Sequence, residues 1–169
     1  MIKENQKNKD LIKYVQDFAP NYHLTLQWDL NHRTRTIPVL EKRLDYFMSR
    51  VQRELMGRGW HRHHIPFIGF GEINEFGEYH MHILIKDTQH TLSQWKQAFH
   101  KISIRTRQTP IPRNPYLQEI TPGTEWQVAK YCTKQLNSVD DAYANSVLIT
   151  SEYLFGKKKR GKQWVGRIL

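Results

Sequence analysis

Two histidines with one residue between them lie in a segment that predicts a β-strand. His80 and His82 belong to the run YHMHILI, whose apolar, β-branched and aromatic residues are typical of a strand. Because strand side chains alternate between two faces, both imidazoles project from one face and Met81 from the other. The two residues are about 6.6 Å apart along the strand. At that spacing two imidazoles can bind one cation.

A carboxylate is predicted to lie beside these histidines. A short glycine-containing loop joins their strand to the preceding strand, 66–73, as a hairpin. If the hairpin is centred on Phe76, Glu72 lies directly opposite His80 on the same face. Glu72 is the only charged residue of its strand and needs a partner there. We expect Glu72, His80 and His82 to bind a divalent metal with open coordination positions; the alternative is that they pair with one another.

The chain contains a second His-x-His triplet, His61-Arg62-His63. It lies in the polar run GRGWHRHH, outside any predicted strand. We interpret it as a solvated or phosphate-facing basic patch, because an arginine stands between the two histidines in this polar turn.

A candidate nucleophile lies in a predicted helix over 124–136. Tyr131 is on the flank of the buried stripe of that helix, and Cys132 belongs to the stripe as a core residue. Lys134 is three residues further on and therefore neighbours Tyr131 on the helix surface. A tyrosine has a pKa near 10, but a nearby ammonium or metal eases its attack on a phosphate. The alternative is a boundary aromatic with its hydroxyl in water.

Composition indicates a basic globular domain and suggests nucleic acid as its partner, although charge alone does not separate DNA from RNA or from an acidic membrane surface. The 169 residues carry 26 Lys and Arg against 16 Asp and Glu, a net charge of +10. The aromatic content of 12% argues against a disordered basic chain, and the single cysteine excludes an internal disulfide. No apolar run is long enough for a membrane span or a signal peptide. We therefore expect a cytoplasmic protein without a membrane partner.

Periodicity predicts an α+β fold, a central antiparallel sheet of about five strands with helices packed against it. The link between the second and third strands is too short for a parallel crossover. Prolines 110, 112 and 115 predict an irregular loop, and Thr124 with Gln127 predicts a capping box. The predicted strands are 22–28, 66–73, 79–85, 101–106 and 116–120. The predicted helices are 38–57, 92–100 and 124–136.

Three parts are expected along the chain. Residues 1–20 form an N-terminal lead-in, either a short helix ended by Pro20 or a mobile segment. Residues 21–155 form the catalytic domain. Residues 156–169 form a basic tail without an acidic residue.

Three motifs stand in an order that resembles the HUH endonucleases, specifically the rolling-circle replication initiators (Rep proteins) of small phages, plasmids and single-stranded DNA viruses. They are HLTLQW (23–28), EYHMHILI (78–85) and VAKYCTKQ (128–135). The resemblance spans about residues 22–137. It implies a sheet that carries the metal and the tyrosine on one face, in an HUH/Rep nuclease-like sandwich.

The resemblance implies a sequence-specific endonuclease and strand transferase that uses Mg²⁺ or Mn²⁺. Its metal ligands would be His80, His82 and Glu72, and Tyr131 would be the nucleophile. Tyr131 would attack a backbone phosphate of single-stranded DNA, release a 3′-hydroxyl and stay linked to the 5′-phosphate. Lys134 would orient or stabilise that step. The implied substrate is an origin hairpin, and the implied partners are a host polymerase and helicase.

Two alternatives remain open. Gln135, four residues after Tyr131, resembles a glutamine that can bind the metal in HUH transposases of insertion sequences. A single-strand transposase is therefore one alternative function. A non-catalytic nucleic-acid-binding domain of similar architecture is the other alternative. A single tyrosine in the motif disfavours two-tyrosine initiators.

Basic residues outside the motifs are candidate DNA contacts. No acidic residue lies between Thr88 and Gln118, where Trp95 and Phe99 are interpreted as the core face of a helix. The candidate contacts are Arg33, Arg35, Arg105, Arg107, Lys157, Lys158, Lys159 and Arg160.

Overall fold

A computed structural model of the protein describes residues 6–28, 34–105, 111–133 and 147–156. These residues form an α+β fold with one five-stranded antiparallel sheet and five α-helices, which confirms the predicted fold class. The strands are β1 (Tyr22–Trp28), β2 (Phe67–Ile73), β3 (Tyr79–Ile85), β4 (Pro112–Glu119) and β5 (Val147–Thr150). The helices are α1 (Gln6–Phe18), α2 (Ile37–Met56), α3 (Leu92–Arg105), α4 (Glu125–Cys132) and α5 (Ser151–Gly156).

The strands lie in the order β4-β1-β3-β2-β5, so the strand with the two histidines is at the centre of the sheet. β3 pairs with β2 on one side and with β1 on the other, in both cases antiparallel. Side chains from three adjacent strands can therefore meet on each face around β3.

Helices cover both faces of the sheet. On one face, which we call the α2 face, α2 packs with α3 and α5 over Met81. The apolar stripe predicted for α2 is buried there. Trp95 and Phe99 of α3 belong to this core, as predicted. On the other, the α4 face, Ala129 and Cys132 of α4 pack with α1 over the sheet. The two histidines lie on the α4 face, opposite Met81.

Of the two structures predicted for the N-terminal lead-in, a short helix or a mobile segment, the helix is found, as α1. Val15 of α1 is fully buried in the core of the α4 face, so this helix helps to cover the sheet. The boundaries of the predicted catalytic domain and basic tail stay predictions, because residues 157–169 lie outside the described part of the chain. Among the described helices, none has the length and apolarity needed to cross a membrane.

The strand predicted over 101–106 is wrong, because α3 continues to Arg105. The β-branched alternation of this segment suggested a strand. Ile102, however, stands four residues after Ala98 and seven after Trp95, and all three are buried on the same side of α3. Packing of this helical stripe against the sheet outweighs the local strand propensity.

The loop predicted from the prolines is wrong at two of its three positions. Pro112 begins β4 and Pro115 lies within it, so β4 starts four residues before the predicted strand. β4 is an edge strand whose register against β1 shifts between Thr25 and Gln27, and an edge or a bulge tolerates a residue without an N–H. Pro110 lies outside the described residues.

The capping box predicted for Thr124 and Gln127 is also wrong. In the described part of the chain, no side chain caps the start of α4. The Thr124 hydroxyl instead donates to the carbonyl oxygen of Thr121, and the Glu125 carboxylate accepts from the N–H of Gly123. The sequence prediction also missed β5 and α5, although the run VLIT of β5 is typical of a strand.

Two glycines of β2 allow close packing on the α2 face. A Cβ atom at Gly69 would stand 2.7 Å from the Cε of Met81 and 3.3 Å from the carbonyl oxygen of Ile149. A Cβ atom at Gly71 would stand 2.6 Å from a methyl group of Val147. Gly69 and Gly71 therefore lie on the α2 face with Phe67 and Ile73. Glu72 lies on the α4 face with Ile68 and Phe70.

We predict that Gly69→Ala destabilises the protein by about 1–3 kcal/mol, because the added methyl group meets a backbone oxygen that cannot rotate away. Chemical denaturation measures the change. Gly59→Ala is the matched control, since a Cβ atom there meets nothing within 4 Å. Equal stability of the two variants would contradict the packing described for β2.

Candidate metal centre and nucleophile

The β2–β3 hairpin sets which side chains meet at the candidate site. The Asn74 side chain accepts hydrogen bonds from the N–H groups of Phe76 and Glu78, both at 3.0 Å. Gly77 takes a positive φ of 72°, a conformation that favours glycine. This turn pairs Glu72 with His80, and the register predicted from the sequence is confirmed.

Glu72, His80 and His82 lie together on the α4 face. The Nε2 atom of His80 is 3.1 Å from the Oε2 atom of Glu72, and the Nε2 atom of His82 is 3.7 Å from the same oxygen. Glu72 is 2% exposed and His82 is also buried, whereas His80 is partly open to solvent. A carboxylate this deeply buried is stabilised by the two adjacent imidazoles.

This donor set fits a divalent metal ion. One ligand atom from each of the three residues lies within 4.8 Å of the others. Ligands about 2.1 Å from an ion stand about 3 Å apart in neighbouring positions of an octahedron and about 4.2 Å apart in opposite positions. One carboxylate and two imidazoles leave further positions for a substrate oxygen or water. Three of the predicted site residues are thus brought together, and their role as ligands is a prediction.

A second layer of polar residues surrounds His82, and the sequence interpretation missed it. The Nε2 atom of His23, on β1, is 3.2 Å from the Nδ1 atom of His82, and the Thr25 hydroxyl is 3.4 Å from the same nitrogen. The side-chain amide of Gln118, on β4, lies 3.2 Å from the Nδ1 atom of His23. The signal for these residues was present, since His23 and Thr25 alternate in β1 as His80 and His82 do in β3.

The proton positions on His82, His23 and Gln118 are linked through these contacts. If Nε2 of His82 faces a metal, its Nδ1 atom is protonated and needs an acceptor. Burial lowers the pKa of His23, so this imidazole is neutral and its Nε2 atom can accept. The proton of His23 is then on Nδ1. The Gln118 side chain can accept it once its amide is turned so that the oxygen, rather than the Nε2 donor that lies 3.2 Å away, faces this nitrogen. The chain of contacts holds His82 in the orientation that a metal ligand needs.

Tyr131 lies beside the same cluster. Its ring is in edge contact with the ring of His82, with centroids 5.2 Å apart, and its centroid is 6.2 Å from that of His23. Ala129 and Cys132 bury one side of α4 in the core, which turns Tyr131 toward the edge of the buried surface. Tyr131 is 49% exposed, so its side chain is partly accessible from solution. The predicted burial of Cys132 is confirmed.

Of the remaining predicted site residues, the structure describes Arg35 and Arg105. Arg35 is exposed just before α2. Arg105 ends α3, which lies on the opposite face of the sheet from Tyr131, and its guanidinium is 2.9 Å from the Glu54 carboxylate. Lys134, Gln135, Arg33, Arg107, Lys157, Lys158, Lys159 and Arg160 lie outside the described residues.

No protein-family model, curated protein or solved structure matches this chain significantly. The antiparallel sheet, its helices and the Glu72, His80 and His82 cluster are compatible with an HUH motif. The function therefore has to be argued from the site itself.

We predict that His23→Leu weakens the binding of Mn²⁺ by about 10- to 100-fold, because His82 loses the acceptor that orients it. Isothermal titration calorimetry of the metal-free protein with MnCl₂ measures this. His100→Leu is the matched control, since His100 is exposed on α3. Unchanged Mn²⁺ affinity in His23→Leu would mean that His23 has no part in orienting the ligand.

Proposed function

We propose that this protein cuts and rejoins single-stranded DNA through a covalent tyrosyl intermediate, and that this reaction initiates rolling-circle replication. Glu72, His80 and His82 would bind one divalent cation, Mg²⁺ or Mn²⁺, and Tyr131 would be the nucleophile. The observation that supports this proposal most strongly is the position of a half-exposed tyrosine beside a three-residue metal-ligand set on one sheet face.

A bound divalent cation would neutralise charge on the target phosphate and make its phosphorus more electrophilic. The residues of the chain would supply the rest of the site. The buried Glu72 carboxylate would balance part of the charge of the cation that the two imidazoles bind. His23 would keep His82 in the orientation of a ligand. Partial exposure of His80 would leave one side of the cluster open to DNA.

The chemical step is a transesterification. The Tyr131 oxygen forms a bond to phosphorus while the bond from phosphorus to the 3′-oxygen breaks. The phenolic proton is lost from Tyr131, and the departing 3′-oxygen gains a proton to become a free hydroxyl. Because one phosphate ester replaces another, attack by a 3′-hydroxyl on the tyrosyl linkage runs the reaction backwards and joins two ends.

A replication initiator needs these two products together. The free 3′-hydroxyl can prime a polymerase. The phosphodiester to Tyr131 remains available for attack by a 3′-hydroxyl, which later closes the circle. The net charge of +10 suits an anionic substrate. We propose a single-stranded origin segment as substrate, with a host polymerase and helicase as partners.

We predict that Tyr131→Phe forms no covalent adduct with DNA, because the variant lacks the attacking oxygen. The assay incubates the protein with a pool of labelled single-stranded DNA and Mn²⁺ and separates the products on a denaturing protein gel. Tyr14→Phe is the matched control, since Tyr14 is 50% exposed against 49% for Tyr131.

The gel separates the proposed function from a binding module. An adduct that requires both Mn²⁺ and the Tyr131 hydroxyl would support tyrosyl transfer. An adduct that persists in Tyr131→Phe would contradict the assigned nucleophile. DNA binding without any adduct, across a pool that covers all short sequences, would favour a non-catalytic nucleic-acid-binding domain.

We predict that His80→Ala loses cutting but keeps much of its DNA affinity, because phosphate contacts by basic residues dominate binding. Cleavage of the labelled pool and fluorescence anisotropy measure the two properties in the same preparation. His63→Ala, a change at an exposed histidine of the second His-x-His triplet, serves as the control. Full cleavage by His80→Ala would remove the metal assignment.

A further inference from the structure

Four arginines line a cleft on the α2 face, on the side of the sheet opposite Tyr131. α2 contributes Arg50 and Arg53, the 3₁₀ turn after it (Gly57–Arg62) contributes Arg58, and the end of α3 contributes Arg105. The cleft has a volume of about 330 Å³. All four side chains belong to exposed residues, so their guanidinium groups are accessible to a ligand from solution.

The cleft has an excess of positive charge. Glu54 is the one carboxylate in its lining, and it already contacts Lys101 at 2.8 Å and Arg105 at 2.9 Å. The hydrogen bond from Lys101, together with the charge of Arg105, lowers the pKa of Glu54, so this carboxylate stays ionised and paired. Within the described ranges, no carboxylate lies in salt-bridge distance of Arg53 or Arg58.

Two of the four guanidinium groups are held in place. The guanidinium carbon of Arg50 lies 4.3 Å from the centroid of the Tyr46 ring, a cation–π contact. Arg105 is held by Glu54. Pre-oriented guanidinium groups bind phosphate oxygens through paired N–H donors, and they lose less side-chain entropy than free ones do.

Helix dipoles do not account for this cluster. Arg53 and Arg105 lie in the last turns of α2 and α3, where a cation stabilises the negative end of the helix. Arg50 precedes the last turn of α2, however, and Arg58 follows the helix. Four guanidinium groups around one cleft repel one another, and an anion between them relieves that repulsion.

The shape and charge of the cleft suit an extended polyanion. Its four arginines are exposed and offer several donors side by side, whereas a pocket for a small molecule buries most of its ligand. We propose that the arginine cleft binds the phosphate backbone of a nucleic-acid segment other than the one at Tyr131. The sheet and the α2 layer separate the two sites, so one short strand cannot occupy both. The proposal takes its partner from the function proposed above but does not depend on the cutting chemistry.

The test removes two arginines that have no acidic partner among the described residues. Arg53→Gln with Arg58→Gln is compared with Lys42→Gln with Lys96→Gln, which removes the same charge from exposed positions of α2 and α3 outside the cleft. Thermal denaturation checks that both double variants fold. Fluorescence anisotropy measures binding to a duplex and to a single strand of about 30 nucleotides over a range of salt concentrations.

We expect the cleft variant to bind long DNA about tenfold or more weakly at about 0.1 M salt. The slope of log affinity against log salt should fall by about 1.4 for a single strand or about 1.8 for a duplex, since two phosphate contacts are lost. The relative loss for the two probes shows which form the cleft prefers. The control variant should change by less than half as much.

Three results would overturn the proposal. Equal losses in the two double variants would mean that only overall charge matters. Loss of binding to vesicles rich in phosphatidylserine, with DNA binding unchanged, would assign the cleft to a membrane surface. If the cleft variant no longer forms the adduct with a strand too short to extend beyond the Tyr131 site, the cleft is part of that site.

The two proposals can fail separately. If the wild-type protein forms no covalent adduct, the proposed cutting activity fails, and the anisotropy comparison still decides whether the cleft binds nucleic acid. If the adduct forms normally in the cleft variant and long-DNA binding is unchanged, the cleft proposal fails while the cutting activity stands.

Discussion

The pairing of Glu72 with His80 is the constraint on which the candidate site depends. A one-residue slip of the β2–β3 register would turn the carboxylate toward the α2 face and leave the imidazoles without it. The Asn74 side chain and the positive φ of Gly77 define the turn that prevents this slip. Local turn chemistry, rather than a long-range contact, therefore brings the three predicted ligands together.

The central position of β3 gives the site its second layer. Because β1 lies on the other side of β3, His23 and Thr25 reach the Nδ1 atom of His82 while Glu72 faces its Nε2 atom. The opposite face of the same strand buries Met81 completely in the larger core. One strand thus anchors the fold through one face and presents polar side chains on the other. That arrangement keeps the ligand geometry rigid.

Much of the site could be predicted from the sequence because its determinants are local. Strand alternation places His80 and His82 on one face, and hairpin symmetry places Glu72 opposite His80. The position of Tyr131 beside His82 depends on how α4 packs across the sheet, and no local pattern contains that information. The same holds for the contact of His23 with His82 and for that of Gln118 with His23, which depend on the strand order β4-β1-β3.

The errors in the fold prediction have a common cause. Residues 101–105 have local strand character, and Pro112 and Pro115 have local loop character, yet tertiary packing decides otherwise in both places. Ile102 completes a buried helical stripe, and the prolines lie on an edge strand with an irregular register. The arginine cleft is likewise formed by the approach of α2 to α3, which spacing along the chain does not reveal.

Glu72, His80 and His82 are proposed to bind one divalent ion beside Tyr131. Crystals of the protein grown with Mn²⁺ test this proposal most directly, because the anomalous scattering of manganese locates the ion without reference to activity. We predict one strong anomalous peak about 2.0–2.3 Å from Oε2 of Glu72 and Nε2 of both histidines. A peak elsewhere, or an occupied lattice site with this cluster empty, would contradict the account.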